Sequence, residues 1–76
     1  MSEPSNQDRA NWALTAVRGF ADETGLDWRE VGDLETAIGD LLINLLHLAE
    51  SRFGVRCAER LHGSALNMYH MEREDG

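Results

Sequence analysis

The sequence predicts an all-α protein, a small bundle of three main helices with a short helical turn between the first and the second. Apolar residues recur at three- and four-residue spacing through most of the 76 residues, glycines stand where such helices would end, and no stretch alternates polar and apolar residues as a half-buried strand does. A chain of this length is expected to form a single helical domain, 1–76, with residues 1–5 and 74–76 flexible.

The first helix is predicted from about residue 6 to 24. Ser5 is its candidate N-cap, Ala10, Ala13, Leu14, Val17, Phe20 and Ala21 repeat on one face, and Gly25 supplies a stop onto which Leu26 can fold back. Trp12 falls off that face, beside Ala16 and Gly19. The segment "DWREVGD", 27–33, reads as a connector with one helical turn, in which Asp27 and Glu30 have capping-box spacing and Trp28 and Val31 point inward as a plug. Asp33 then caps a second helix from Leu34 to about Phe53, which Gly54 ends. A third helix runs from near Arg56 to about Arg73, with Ala58, Leu61, Ala65 and Met68 along its inner face. Gly63 costs that helix up to about 1 kcal/mol relative to Ala, so it marks either a close helix contact or a weak point.

At 100° per residue the second helix separates into sectors. Leu34, Ala37, Ile38, Leu41, Leu42, Leu45, Leu48 and Ala49 fill one broad arc, Ile43 and Leu46 fall toward the far side, and Thr36, Asp40, Asn44, His47 and Ser51 form a narrow polar stripe. An apolar arc this wide exceeds what one neighbouring helix needs. A helix between two neighbours accounts for it, and so does a dimer seam of Leu41, Leu45 and Leu48. Because a chain this short buries only about 60% of its unfolded surface, a homodimer is the expected state.

Charge bounds the partners. Fourteen acidic residues stand against seven basic ones, all Arg, and a net charge of −7 argues against direct nucleic-acid binding. Asp22, Glu23, Asp27, Glu30, Asp33, Glu35 and Asp40 crowd into one stretch with Arg29 as the only cation. The first six of these acids form a candidate surface for a basic groove in a partner, with helix capping and solvation as the plainer account. The single cysteine, Cys57, excludes an intramolecular disulfide, the polar opening "MSEPSNQDRA" has no secretory core, and the Leu41 to Leu48 run is far short of a bilayer span. A protein of the host cell cytoplasm is expected, without membrane attachment.

With the second and third helices placed, "LETAIGDLLINLLHLAESRFGVRCAERLHGSALNMYHMERE" resembles a group of small proteins of phages, plasmids and integrated elements. Their pattern is an "A-L-x-D-L-L-x-D-L-x-H" helix followed by Gly and an "A-x-x-H-Y-x-x-E" helix. Asp40, Leu41, Leu42, Leu45 and His47 match the first motif and Ala65, Tyr69 and Glu72 the second, while Asn44 and Met68 replace an Asp and a His. The resemblance covers about half the chain and implies a mobile-element protein. The same half is similar to the C-terminal part of MazG-type nucleotide pyrophosphohydrolases, all-α proteins in which clustered carboxylates hold magnesium and a diphosphate. Asp40 matches the last Asp of their "E-x-x-D" motif, but Ala37 takes the Glu position and no earlier "E-E-x-x-E" exists. The resemblance therefore implies their architecture without their chemistry.

Asp40, Asn44 and His47 share one helix face and form a polar stripe that could offer two or three ligand atoms. A transition metal would need another strong ligand, and neither His62 nor His70 has a spacing that forces it near. Cys57 at a helix start could be activated as a nucleophile, although a small packing residue is the commoner role there. Arg52, Arg56 and Arg60 concentrate near the second turn. No metal, cofactor or catalytic residue is expected. The function expected is a small acidic inhibitor of a host protein or protein complex, carried by a mobile element, and anti-CRISPR proteins that block an effector complex are one such class. A degenerate MazG-like hydrolase relative and a purely structural dimerisation module are the alternatives.

Overall fold

The computed structural model describes residues 3–75, the side chain of Asp75 excepted. It is all-α, with helices α1 (Asn6–Thr24), α2 (Val31–Phe53) and α3 (Val55–Asp75), and no strand among the described residues. The flexibility expected at residues 1–2 and 76 lies outside the described residues.

The ends of α1 are set by local chemistry. The Asp8 backbone N–H donates to Ser5 Oγ at 3.1 Å and the Ser5 N–H donates to Asp8 Oδ2 at 3.0 Å, a reciprocal capping box at the predicted N-cap. At the other end Gly25 takes φ 77°, a left-handed conformation that L side chains rarely adopt, and both its N–H and that of Leu26 reach the Ala21 carbonyl. Leu26 folds back against the core, as its position after the stop predicts.

The connector departs from the expected pattern. α2 begins at Val31 rather than Leu34, because the Leu34 N–H already bonds the Glu30 carbonyl at 2.8 Å. Asp33 is therefore inside the first turn, and its carboxylate reaches back six residues to accept the Asp27 N–H at 2.9 Å. Asp27 in turn accepts from the Arg29 N–H at 3.0 Å, and the helical turn closes through Glu30 N–H to the Asp27 carbonyl at 3.0 Å. The capping partner of Asp27 is thus Asp33, not Glu30. Trp28 packs inward as predicted, with the Arg18 guanidinium 4.4 Å from its ring centre and that of Arg29 at 4.8 Å. Val31 does not point inward and is 81% exposed, since it opens the helix instead of closing the connector.

Contacts divide the chain into two compact units, Met1–Leu42 and Ile43–Gly76, with α2 contributing its first half to one and its second half to the other. In the first unit Val17, Ala21 and Ala37 are buried, and Phe20, Leu26, Trp28, Leu34 and Leu41 pack against them. Of the predicted α1 face, Val17 and Ala21 are enclosed, Leu14 and Phe20 are half-buried, and Ala10 and Ala13 remain exposed.

In the second unit a single residue separates the helices. Gly54 takes φ 94°; its N–H bonds the Glu50 carbonyl and its carbonyl accepts from Ala58, so one glycine ends α2 and starts α3. Ala58 is the one buried residue of α3 among those described, whereas Leu61, Ala65 and Met68, predicted for the same inner face, are exposed. Two helices offer each other one stripe apiece, and these three side chains lie beyond it. Gly63 has no heavy atom within 4 Å of an added Cβ, which makes it the weak point of the helix and not a site of close contact.

Candidate interaction surfaces

Three surfaces gather the residues singled out above. The first is the acidic connector. Asp27 and Asp33 hold it in shape through the bonds just described, and Asp27 also lies 3.5 Å from the Arg29 guanidinium. Asp22, Glu23, Glu30 and Glu35 are exposed. The candidate surface therefore divides into two acids that fold the segment and four that face outward.

The second surface is a groove within the second unit, about 310 Å³ in volume. From α2 it is lined by Ile43, Leu46, His47 and Glu50, and from α3 by Val55, Ala58, Glu59 and His62. The α2 residues here belong to the sector outside the predicted apolar arc, so α3 takes the far side of that helix as its neighbour. This places His62 in one groove with His47, a juxtaposition that sequence spacing did not reveal. The signal available was the one-residue break at Gly54, which makes α2 and α3 a hairpin and aligns His47 near its turn with His62 near the start of α3. The lining is mostly apolar. Among the described residues, no group of three or more His, Cys, Asp or Glu is placed to hold a metal ion.

The polar stripe does not form a network. Asp40, Asn44 and His47 are all exposed, Asp40 belongs to the first unit and the other two to the second, and of the three only His47 lines the groove. Cys57 is half-buried, and its sulfur accepts from Arg60 Nη2 at 3.5 Å, one helical turn away.

The third surface is apolar. Leu41 packs against the core of the first unit, but Leu45 is 50% and Leu48 is 54% exposed, so two of the three candidate seam residues are accessible. In the second unit Leu61, Leu66, Met68, Tyr69 and Met71 on α3 are each between 47% and 58% exposed, and in the first unit Leu42 is 61% exposed. Trp12 is 62% exposed on α1, with open space beside Gly19. Large apolar side chains at this density are unusual on a protein surface. No helix among the described residues is long and apolar enough to cross a membrane.

Comparison with known protein families, with curated proteins and with solved structures finds no match for this chain.

Proposed function

We propose that the protein is a small acidic protein-binding module that acts by occupying the surface of another protein, and that it does so as a non-catalytic inhibitor from a mobile element. The observation that carries this reading is the apolar surface of α2 and α3 in the second unit, where large side chains stand about half exposed, and the first unit adds four outward-facing acids. Apolar side chains supply the affinity of such a contact, while a field of like charge steers the approach of a partner of opposite sign. The partner that fits is a basic protein surface of the kind that binds nucleic acid, in the host cytoplasm, and a CRISPR effector complex is the specific candidate.

A direct test titrates the purified chain into a CRISPR effector and follows target-DNA binding. The expected result is loss of DNA binding, relieved when Asp22, Glu23, Glu30 and Glu35 are all changed to Lys. Asp27 and Asp33 are left unchanged in this variant, because those two hold the connector together. Magnesium-dependent turnover of a nucleoside triphosphate that Asp40→Ala abolishes would instead place the protein among the hydrolases.

A further inference from the structure

The second unit carries a seam that the hairpin does not cover. On α3, Cys57, Leu61, Ser64, Met68 and Met71 follow one another at spacings of four, three, four and three residues, the alternation that keeps side chains in line where two helices wind together. Leu61, Met68 and Met71 are 48%, 52% and 58% exposed, Ser64 is exposed and Cys57 is half-buried. The residues that α3 gives to the groove, Val55, Ala58, Glu59 and His62, occupy a sector centred roughly 150° away at 100° per residue. The seam is therefore distinct from the face of α3 that meets α2.

We propose that a second copy of this chain covers the seam, with the two α3 helices antiparallel. The register is the one that sets Leu61 against Met71 of the second copy and Ser64 against its Met68. Each layer then recurs through the two-fold axis, so that every chain presents the surface it receives. The two copies of Ala65 meet beside that axis, where a small side chain permits close approach. Charge selects the same arrangement. Arg60 of each chain comes beside Glu74 of the other, both exposed, and two identical ion pairs flank the seam. A parallel pairing offers Arg60 only Ala65 and loses both pairs.

The seam takes Leu61, Met68 and Met71, so the inhibitor reading keeps the exposed apolar residues outside it, among them Leu45, Leu48, Leu66 and Tyr69, together with the acidic connector, of which this proposal makes no use. Sedimentation equilibrium of the full chain tests it. The expected result is a monomer–dimer equilibrium in which Arg60→Glu, or Glu74→Arg, raises the dissociation constant about tenfold, because two attractive contacts become repulsive by symmetry. Combining Arg60→Glu with Glu74→Arg restores the affinity, with the circular dichroism of all variants unchanged. A chain that stays monomeric at every concentration overturns the proposal, and so does a dimer indifferent to the single changes or not restored by the double one.

Orientation is read separately in a Cys57→Ala background, using copper phenanthroline to oxidise paired thiols to disulfides. Leu61→Cys with Met71→Cys should then give a covalent dimer, while Met71→Cys alone should not. A covalent dimer from Met71→Cys alone would mean parallel helices and would also overturn the register. Running the DNA-binding assay on Arg60→Glu and on the four-acid variant separates the two readings, since each variant disables only one of the surfaces.

Discussion

The first unit encloses a core of apolar side chains, leaving Trp12, Val31, Ile38 and Leu42 outside it, and the second displays most of its own. In the first, Val17, Ala21 and Ala37 are buried, five larger residues pack around them, and the connector closes the end through Asp33 and the Arg18–Trp28–Arg29 stack. In the second, Ala58 is buried, while Phe53, Leu61, Leu66, Met68, Tyr69 and Met71 are each at least 47% exposed. Composition does not explain the contrast, because α2 is rich in Leu and Ile in both halves. The connector does: in the first unit it lays Leu26 and Trp28 over the helix pair as a third packing element, whereas Gly54 alone joins α2 to α3 and contributes no side chain. A bare hairpin satisfies one stripe per helix and leaves the remainder for something outside it.

The largest expected effect comes from charging the enclosed core. Ala37 is fully buried, and Ala37→Asp places an unpaired carboxylate among apolar side chains, at a cost of several kcal/mol. That is a large fraction of the stability of so small a chain, so thermal melting followed by circular dichroism should show the transition lost or greatly lowered. Met68→Asp, on the displayed surface, should change the melting of a dilute monomer by no more than about 0.5 kcal/mol. Equal losses from the two substitutions would erase the distinction between the units.

Trp28→Ala should follow in size. The ring is half-buried, packs on the core and lies between two guanidinium groups, so its removal should cost about 2 kcal/mol, measured by urea denaturation. Arg18→Ala should cost less than about 1 kcal/mol, since it removes a single exposed cation from the stack. If the arginine substitution cost as much as that of the tryptophan, the stack rather than the packing would be closing the first unit.

How far the sequence foretold this contrast depends on the range of the interactions involved. α1 was legible at both ends, because Ser5, Asp8, Gly25 and Leu26 act within a few residues of one another. The start of α2 was not: Asp33 has the chemistry of a cap but spends it on Asp27, six residues back, which no local motif encodes. The groove was hidden for a different reason. Apolar residues lie on the broad arc of α2 and, as Ile43 and Leu46, beyond it, so periodicity alone does not say which side α3 will choose. The acidic residues were all visible, yet their division into folding and outward-facing groups required the hydrogen bonds.

The two glycine stops give a smaller and more even test. Gly25 and Gly54 both have positive φ with open space around an added Cβ, so Ala at either position meets backbone strain and no steric clash. Each substitution should cost about 1–2 kcal/mol. In the first unit the loss should appear as lower thermal stability. In the second, the loss should appear as a hairpin that melts at lower temperature, with the α3 seam itself unchanged.

The smallest effect has the opposite sign. Gly63 lies within α3, its φ is not in the positive range, and an added Cβ would meet nothing within 4 Å. Gly63→Ala therefore restricts the unfolded chain and improves helix propensity without disturbing any packing, a gain of up to about 1 kcal/mol. For a domain this size that corresponds to a rise in melting temperature of roughly 4–8 °C per kcal/mol. On the proposed seam Gly63 falls roughly 120° from the contact line at 100° per residue, so the sedimentation behaviour should stay that of the native chain while the melting temperature rises. A Gly63→Ala variant that melts higher but no longer dimerises would show that a second copy approaches α3 over Gly63 instead of over Leu61 and Met68, and the seam would have to be moved around the helix to that side.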